Sequence, residues 1–303
     1  MQWMSNRSKR MRLLFILSMT IYPVAHYFLF TVYVNISTIV YAFKRWNITT
    51  GAIDWVGFDN FSSIIEKVFT EAPFKYALRN TLLWIPLNVL VLLPLALYVA
   101  YIFSKKIRFH NFYRIVYFFP SILSIVIIAM VFSFMVSPNN GVVNAILEAG
   151  GLESLQRSWL GDPATALGTV FFFCVWAGIG FNAAILLGAI GRIPNDLYEV
   201  GELEGITKIK ELTKVVVPMI WPTISTLVII GTSGAFTIFL QSKLLTSGGP
   251  NFSTNTAALQ IVNMVSDGQY GSASAFGVLL ALVGLAATWV IKFFLDRTAT
   301  VEY

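Results

Sequence analysis

Six apolar stretches, each long enough to cross a bilayer as a helix, constrain this chain more than any other feature. A spanning helix needs about 20 predominantly apolar residues, and such runs occur at 13–34, 76–103, 115–136, 166–190, 218–240 and 273–295. Only 12% of the 303 residues are charged, against about 25% in soluble proteins. The chain therefore reads as an all-α polytopic membrane protein, with one transmembrane domain over 13–295 and short tails at 1–12 and 296–303. Arg7, Lys9, Arg10 and Arg12 precede the first run, as they would in a secretory signal. That run outlasts an h-region of about 7–15 residues and no small-x-small site closes it, so the helix is expected to be retained.

Lysine and arginine set the expected orientation. With the N-terminus inside, seven basic residues fall outside: Lys44, Arg45, Lys67, Lys75, Arg79, Arg157 and Lys243. The other 14 of the 21 fall inside, so the positive-inside bias puts both termini and the polar stretch 194–217 in the cytoplasm. The net charge of +6 is then a topological signal, and no nucleic acid is expected as a partner. Cys174, the single cysteine, lies within an apolar run and reads as a packed thiol.

Pro194–Pro222 contains the long polar interruption of the second half. Asn195 or Asp196 can cap a helix whose first turn is acidic, which suits the positive end of the helix dipole. Gly205 sits where that helix should stop, because glycine takes the left-handed conformation cheaply. A second short helix carries Lys208, Lys210, Glu211 and Lys214 before Val215-Val216-Val217-Pro218. The expectation is a helix–turn–helix knuckle at the membrane surface, shaped to be gripped by a soluble partner. Its frame is Glu199-Val200-Gly201, then Gly205 six residues after the glutamate, then Pro218 thirteen later. That frame resembles the EAA loop of ABC importer permeases. Val200 and Gly201 stand where the loop has two alanines, Glu204 where it has aspartate, and Ile206 where it has alanine.

Other pieces lie along the chain, and those in the external connections, Gly57–Phe61, Gly141–Asn144, Trp159–Pro163 and Thr246–Pro250, read alone as turn chemistry. In order the pieces are Gly57–Phe61, Asn80-Thr81, Arg114 through Pro120, Gly141–Asn144, Trp159–Pro163, Trp176, Ile193-Pro194 and, past the knuckle, Thr246–Pro250. The series resembles the sugar-permease branch of type I ABC importers, from about residue 20 to the C-terminus. Its Thr-x-Gly-Gly-Pro element is similar to that of the larger maltose permease subunit, although the chain is too short for that subunit's extra N-terminal helices and periplasmic insertion.

The residues themselves assemble no catalytic constellation and no metal site. Gly201 to Lys208 has the wrong spacing for G-x-x-x-x-G-K-[ST] and no strand before it. Gly178-Ile179-Gly180 lies in an apolar run, where Gly180, Ala184 and Gly188 read as a small-residue packing seam. His26 and His110 have no carboxylate or cysteine at ligand spacing, and Asn47-Ile48-Thr49 is a sequon by pattern. The competing function class, an ion-coupled secondary carrier, calls for carboxylates deep in a span. Here the acids fall in connections or at segment ends.

The resemblance implies the type I importer permease fold and a division of labour. This chain binds no cofactor; ATP and Mg belong to two ABC ATPase subunits, each receiving the knuckle of one of two homologous permeases. An extracellular or periplasmic solute-binding protein delivers a carbohydrate, expected to be an oligosaccharide, to a lipid-embedded pathway in a prokaryotic cytoplasmic (inner) membrane. Glu199, Val200, Gly201, Leu203, Glu204, Gly205, Ile206, Ile209 and Pro218 are the implied coupling residues. Leu203, Ile206 and Ile209 either enter the partner's groove or pack back on this chain.

Costly intramembrane polar groups and aromatic rings single out Trp84, Asn88, Trp176, Asn182, Ser233 and Gln241 as candidates for a substrate pathway. The same residue types also bridge helices or mark interfaces. By the resemblance, the sugar-contacting positions of the maltose permease correspond to Cys174, Ala177, Gly178 and Phe181, then to Gly231, Ala235 and Ile238. Few of those are polar. Either the ligand differs from maltose, or this subunit lacks a comparable internal site.

Overall fold

The computed structural model describes residues 6–46, 50–105 and 107–298; the sequon Asn47-Ile48-Thr49 lies outside them. In chain order the elements are α1 (Ser8–Ala42), strands β1 (Lys44–Trp46) and β2 (Ile53–Trp55), α2 (Asp59–Thr70), α3 (Ala72–Ser104), α4 (His110–Ile122) and α5 (Ile125–Met135). There follow α6 (Val142–Ala149), α7 (Pro163–Ile190), α8 (Asn195–Leu203), α9 (Lys208–Met219), α10 (Trp221–Ala235), α11 (Leu240–Thr246), α12 (Ala257–Ser266) and α13 (Tyr270–Thr298).

Among the described residues, four helices are long and apolar enough to cross a membrane uninterrupted: α1, α3, α7 and α13. Two bent pairs, α4–α5 and α9–α10, bring the number to six if each pair counts as one span. The expected run 115–136 is thus not straight. It turns by 104° where Leu123 and Ser124 adopt extended backbone. The run 218–240 is corrected at both ends. Neither Pro218 nor Pro222 can donate to the carbonyl four residues back, and the helix breaks between them at Ile220 with a 77° bend. Past the bend the helix runs from Trp221 to Ala235, after which residues 236–239 are irregular.

The chain divides into two compact units, one built from the described part of Met1–Ile65 with Met264–Leu279, the other from Glu66–Asn263 with the described part of Leu280–Tyr303. In the first, α1 leads into the antiparallel hairpin β1–β2, with Lys44 opposite Trp55 and Trp46 opposite Ile53. Buried Asn60 holds the hairpin, donating through Nδ2 to the carbonyls of Ala42 (2.8 Å) and Lys44 (2.9 Å). Phe43 packs among Trp55, Phe58 and Phe61 at ring separations of 5.2–5.7 Å. The Gly57–Phe61 piece is therefore the corner that turns this hairpin into α2, with Gly57 at φ +58°.

In the second unit α3 and α7 run side by side, and their small residues Ala96, Ala100 and Ala183 are fully buried with Leu93, Leu186 and Ile190 in one core. Small side chains let helix backbones approach where dispersion, not water exclusion, drives association. α4 crosses α7 at Gly180, where a β-carbon would collide with Ser121 and come within 2.7 Å of the Tyr117 carbonyl. Ser121 Oγ donates to the Ala177 carbonyl at 2.9 Å across the same crossing. The seam expected at Gly180, Ala184 and Gly188 is used at Gly180 alone within this chain, since Ala184 is exposed and Gly188 faces open space.

At the end of α3 away from Ser104, pieces of sequence far apart in the chain meet. Asn80 Nδ2 donates to the carbonyls of Ser253 and Asn255, both at 2.8 Å, and Thr81 Oγ1 accepts from the Ala257 amide at 2.9 Å. Thr246 and Thr254 hydroxyls share a hydrogen bond of 2.6 Å beside the left-handed Gly248 and Gly249. Trp159 Nε1 donates to Asn144 Oδ1 at 2.8 Å, joining the Gly141–Asn144 and Trp159–Pro163 pieces.

Candidate functional site

Two places in the second unit carry most of the residues singled out above: the knuckle at 194–217 and a cavity between α3, α7 and α10. The knuckle folds as expected in outline, and its caps differ. Neither Asn195 nor Asp196 caps α8; the preceding Pro194 takes that position with no side-chain bond, and Asp196 lies in the acidic first turn. At the other end Gly205 stands at φ +70°. The Ile206 amide donates to the Gly201 carbonyl and the Gly205 amide to that of Glu202, both at 3.0 Å. This is the paired closure that a C′ glycine permits. Thr207, which the sequence reading passed over, caps α9 by accepting from the Lys210 amide.

The departures from the EAA frame explain one another. A β-carbon on Gly201 would lie 2.7 Å from Ile206 Cδ1, so the larger residue at 206 fills the volume that the smaller one at 201 vacates. Ile206 packs back on its own chain. Leu203 and Ile209 do not, being 88% and 77% exposed. Glu199, Val200 and Glu204 also face outward, and Pro218 lies in the last turn of α9 beside the bend.

On its inner side the knuckle meets the end of α3. Buried Glu211 is ion-paired with Lys105, and Tyr101 Oη donates to the Lys208 carbonyl at 3.1 Å. The Lys105 ammonium also lies 4.4 Å from the ring centre of Tyr198 on α8, within range of a cation–π attraction. Burial and the Glu211 carboxylate push the Tyr198 phenol above its ordinary 10. In the sequence Glu211 stands among Lys208, Lys210 and Lys214; the fold turns it inward.

The cavity has a volume of about 560 Å³. It brings together Trp84, Asn88, Gly178, Phe181, Asn182 and Gln241, and no lining residue among those described is charged. Cys174, Ala177, Gly231, Ala235 and Ile238 line it too. On α7 the positions 174, 177, 178 and 181 follow the i, i+3, i+4, i+7 spacing of one helix face. Trp176 falls off that face and instead packs near Phe132 and Phe173, with ring centres 6.1 and 6.4 Å away. Ser233 is exposed and does not line the cavity.

Polar capacity in the cavity is limited and specific. Trp84 is 5% exposed, and its Nε1 has no hydrogen-bond partner among the described residues. Asn182 Nδ2 donates one of its two hydrogens to the Gly178 carbonyl at 3.0 Å. Asn88 sits in a widened, π-helical segment, Leu87–Leu92, directly after Pro86, where the missing proline N–H disturbs the ladder. Thr237, Ile238 and Phe239, whose backbone is not helical, line the same space; non-helical backbone at membrane depth is tolerated where it lines a cavity.

Residues 92–300 match the family described as "Binding-protein-dependent transport system inner membrane component". The diacetylchitobiose uptake system permease protein NgcF of Streptomyces coelicolor is 31% identical over 90% of this chain and 80% of its own length. The probable ABC transporter permease protein YurN of Bacillus subtilis is 29% identical over 88% of this chain and 92% of its own. Among solved structures, a chain of a bacterial ABC transporter that imports the acidic polysaccharide alginate superposes with a TM-score of 0.82. It is 24% identical, covering 97% of this chain and 99% of that one, and the two share a fold.

Proposed function

Because this chain belongs to the family of binding-protein-dependent transport system inner membrane components, we propose that it is one of two permease subunits forming the pathway of a carbohydrate importer. The observation that carries the carbohydrate reading is the chemistry of the cavity: aromatic and aliphatic walls, the amides of Asn88, Asn182 and Gln241, the indole N–H of Trp84, and no charged lining residue among those described. Aromatic faces take up the C–H surfaces of a sugar ring, while amides and an indole N–H meet its hydroxyls. A neutral oligosaccharide fits such a lining better than an acidic one. NgcF, by its name, serves the uptake of diacetylchitobiose, a neutral disaccharide of this chemical kind.

The energy comes from outside the chain. The knuckle, with Leu203 and Ile209 projecting, docks into an ATPase subunit on the cytoplasmic face of a prokaryotic inner membrane. Two such subunits hold the ATP and Mg²⁺. A solute-binding protein meets the opposite face. Lipid or the second permease covers α1, no residue of whose most apolar window is buried within this chain. ATP-driven closure of the ATPases displaces the knuckles, and the cavity opens alternately to either side.

The deciding experiment has two parts. Radiolabelled neutral oligosaccharides are offered to the cognate binding protein, and uptake of the one retained is followed in cells depleted of ATP with the proton gradient preserved. Retention of a neutral sugar, with uptake abolished by ATP depletion, is expected. Uptake sustained by the gradient alone would identify an ion-coupled carrier, and retention of acidic saccharides only would overturn the substrate class.

A further inference from the structure

We infer that the ion pair of Lys105 and Glu211 is the joint through which the knuckle moves α3. The cavity has walls from both α3 and α10. α10 follows the knuckle along the chain, through α9 and the bend at Ile220. α3 has no such covalent link; about a hundred residues separate Lys105 from the knuckle. Its motion needs a noncovalent contact that resists both shear and separation.

The contact at the end of α3 has those properties. Glu211 is 7% exposed, and a buried carboxylate is tolerated only when paired. Lys105 supplies the pair from the C-cap of α3, where an ammonium is also favoured by the negative end of the helix dipole. The same ammonium lies against Tyr198 of α8 and, at 5.4 Å, against Tyr101 of α3. Tyr101 Oη adds a bond to the Lys208 carbonyl at the start of α9. Three elements thus converge on one cation, and the core around buried Tyr101, Val216 and Ile193 closes beneath it. Apolar packing alone lets helices slide; an ion pair to a buried carboxylate, with the Lys105 side chain still 31% exposed, fixes the register. Lys105 and Glu211 are positioning residues, touching neither solute nor nucleotide.

The inference rests on 194–217 being the ATPase contact. Its test uses the assembled transporter in proteoliposomes, with Leu87→Cys on the α3 wall of the cavity as reporter in a Cys174→Ala background. The rate at which a small methanethiosulfonate modifies the Leu87→Cys thiol is measured without nucleotide and after trapping with ATP and vanadate. With the joint intact the two rates differ by about 5-fold or more, the lower range of a coupling between distant sites. Glu211→Gln and Lys105→Glu keep hydrolysing ATP and lose that difference. The exchange Lys105→Glu with Glu211→Lys regains it. Should the single variants fail to assemble, recovery of assembly by the exchange supports the joint equally. Single variants with the full nucleotide response overturn it, as does an exchange that restores neither assembly nor response. Failure of the underlying reading shows separately, as a Leu203→Cys variant that cross-links to no ATPase subunit whatever the joint variants do.

Discussion

The side-chain amide of Asn88 occupies the space that a β-carbon on Gly231 would need. α3 thus delivers a polar group to the backbone of α10, at a position where the sequence of α10 offers none. Gly231→Ala forces Asn88 out of the cavity wall, and overpacking of this kind costs about 1–3 kcal/mol. A lower thermal midpoint in detergent and reduced uptake are expected. Adding Asn88→Ala to Gly231→Ala restores the midpoint and leaves uptake low, because the amide is gone.

Trp84 allows stability and transport to be separated. Its buried Nε1 has no partner among the described residues, so Trp84→Phe removes no internal hydrogen bond and keeps a ring against Phe171. The thermal midpoint should hold or rise. Uptake of the cognate sugar should fall about tenfold, the equivalent of one neutral hydrogen bond to the solute of roughly 1.4 kcal/mol. Unchanged uptake would remove Trp84 from the pathway.

Gly205 tests the rigidity of the knuckle. An L-residue at φ +70° costs about 1–2 kcal/mol, with asparagine penalised least. ATP-coupled uptake should therefore decline in the order glycine, asparagine, alanine. Gly205→Pro also removes the amide that closes onto Glu202 and should abolish uptake while ATP hydrolysis and membrane insertion continue. Glu199→Lys, on the exposed face, should do the same through the partner contact.

Asn80 is the cleanest stability probe. Asn80→Ala strands the buried carbonyls of Ser253 and Asn255, each at a cost of about 1–3 kcal/mol. Thr81→Val strands the Ala257 amide in the same way. Both should lower the unfolding midpoint clearly, with Asn80→Ala the more severe.

Run length and hydropathy made the spans legible, and glycine punctuation made the knuckle legible, down to the left-handed turn at Gly205. Bends were harder to see. Pro218 and Pro222 are plain in the sequence, yet a proline inside an apolar run can kink a helix or end it, and tertiary packing decides which. Trp176 stands out in the sequence for its chemistry; its place two residues before Gly178 turns it about 200° around the helix from that cavity-lining residue. Asn60, Asn80 and Asn144 each hydrogen-bond segments 12 to 212 residues away, and without those partners each looks like an ordinary loop or helix polar residue. Glu211 carried no signal at all, because its burial depends on Lys105 and two tyrosines brought in from elsewhere.

Residues 194–217 are proposed to pass force from an ATPase to this chain on the cytoplasmic side. Placing a photo-cross-linking residue at Leu203, the most exposed apolar side chain of the knuckle, and irradiating inside-out vesicles that contain the whole transporter tests it directly. The expected product joins this chain to a nucleotide-binding subunit and changes in yield when ATP is added. A residue at 203 that can be reached only from the opposite face of the membrane, or that never captures an ATPase, would contradict it.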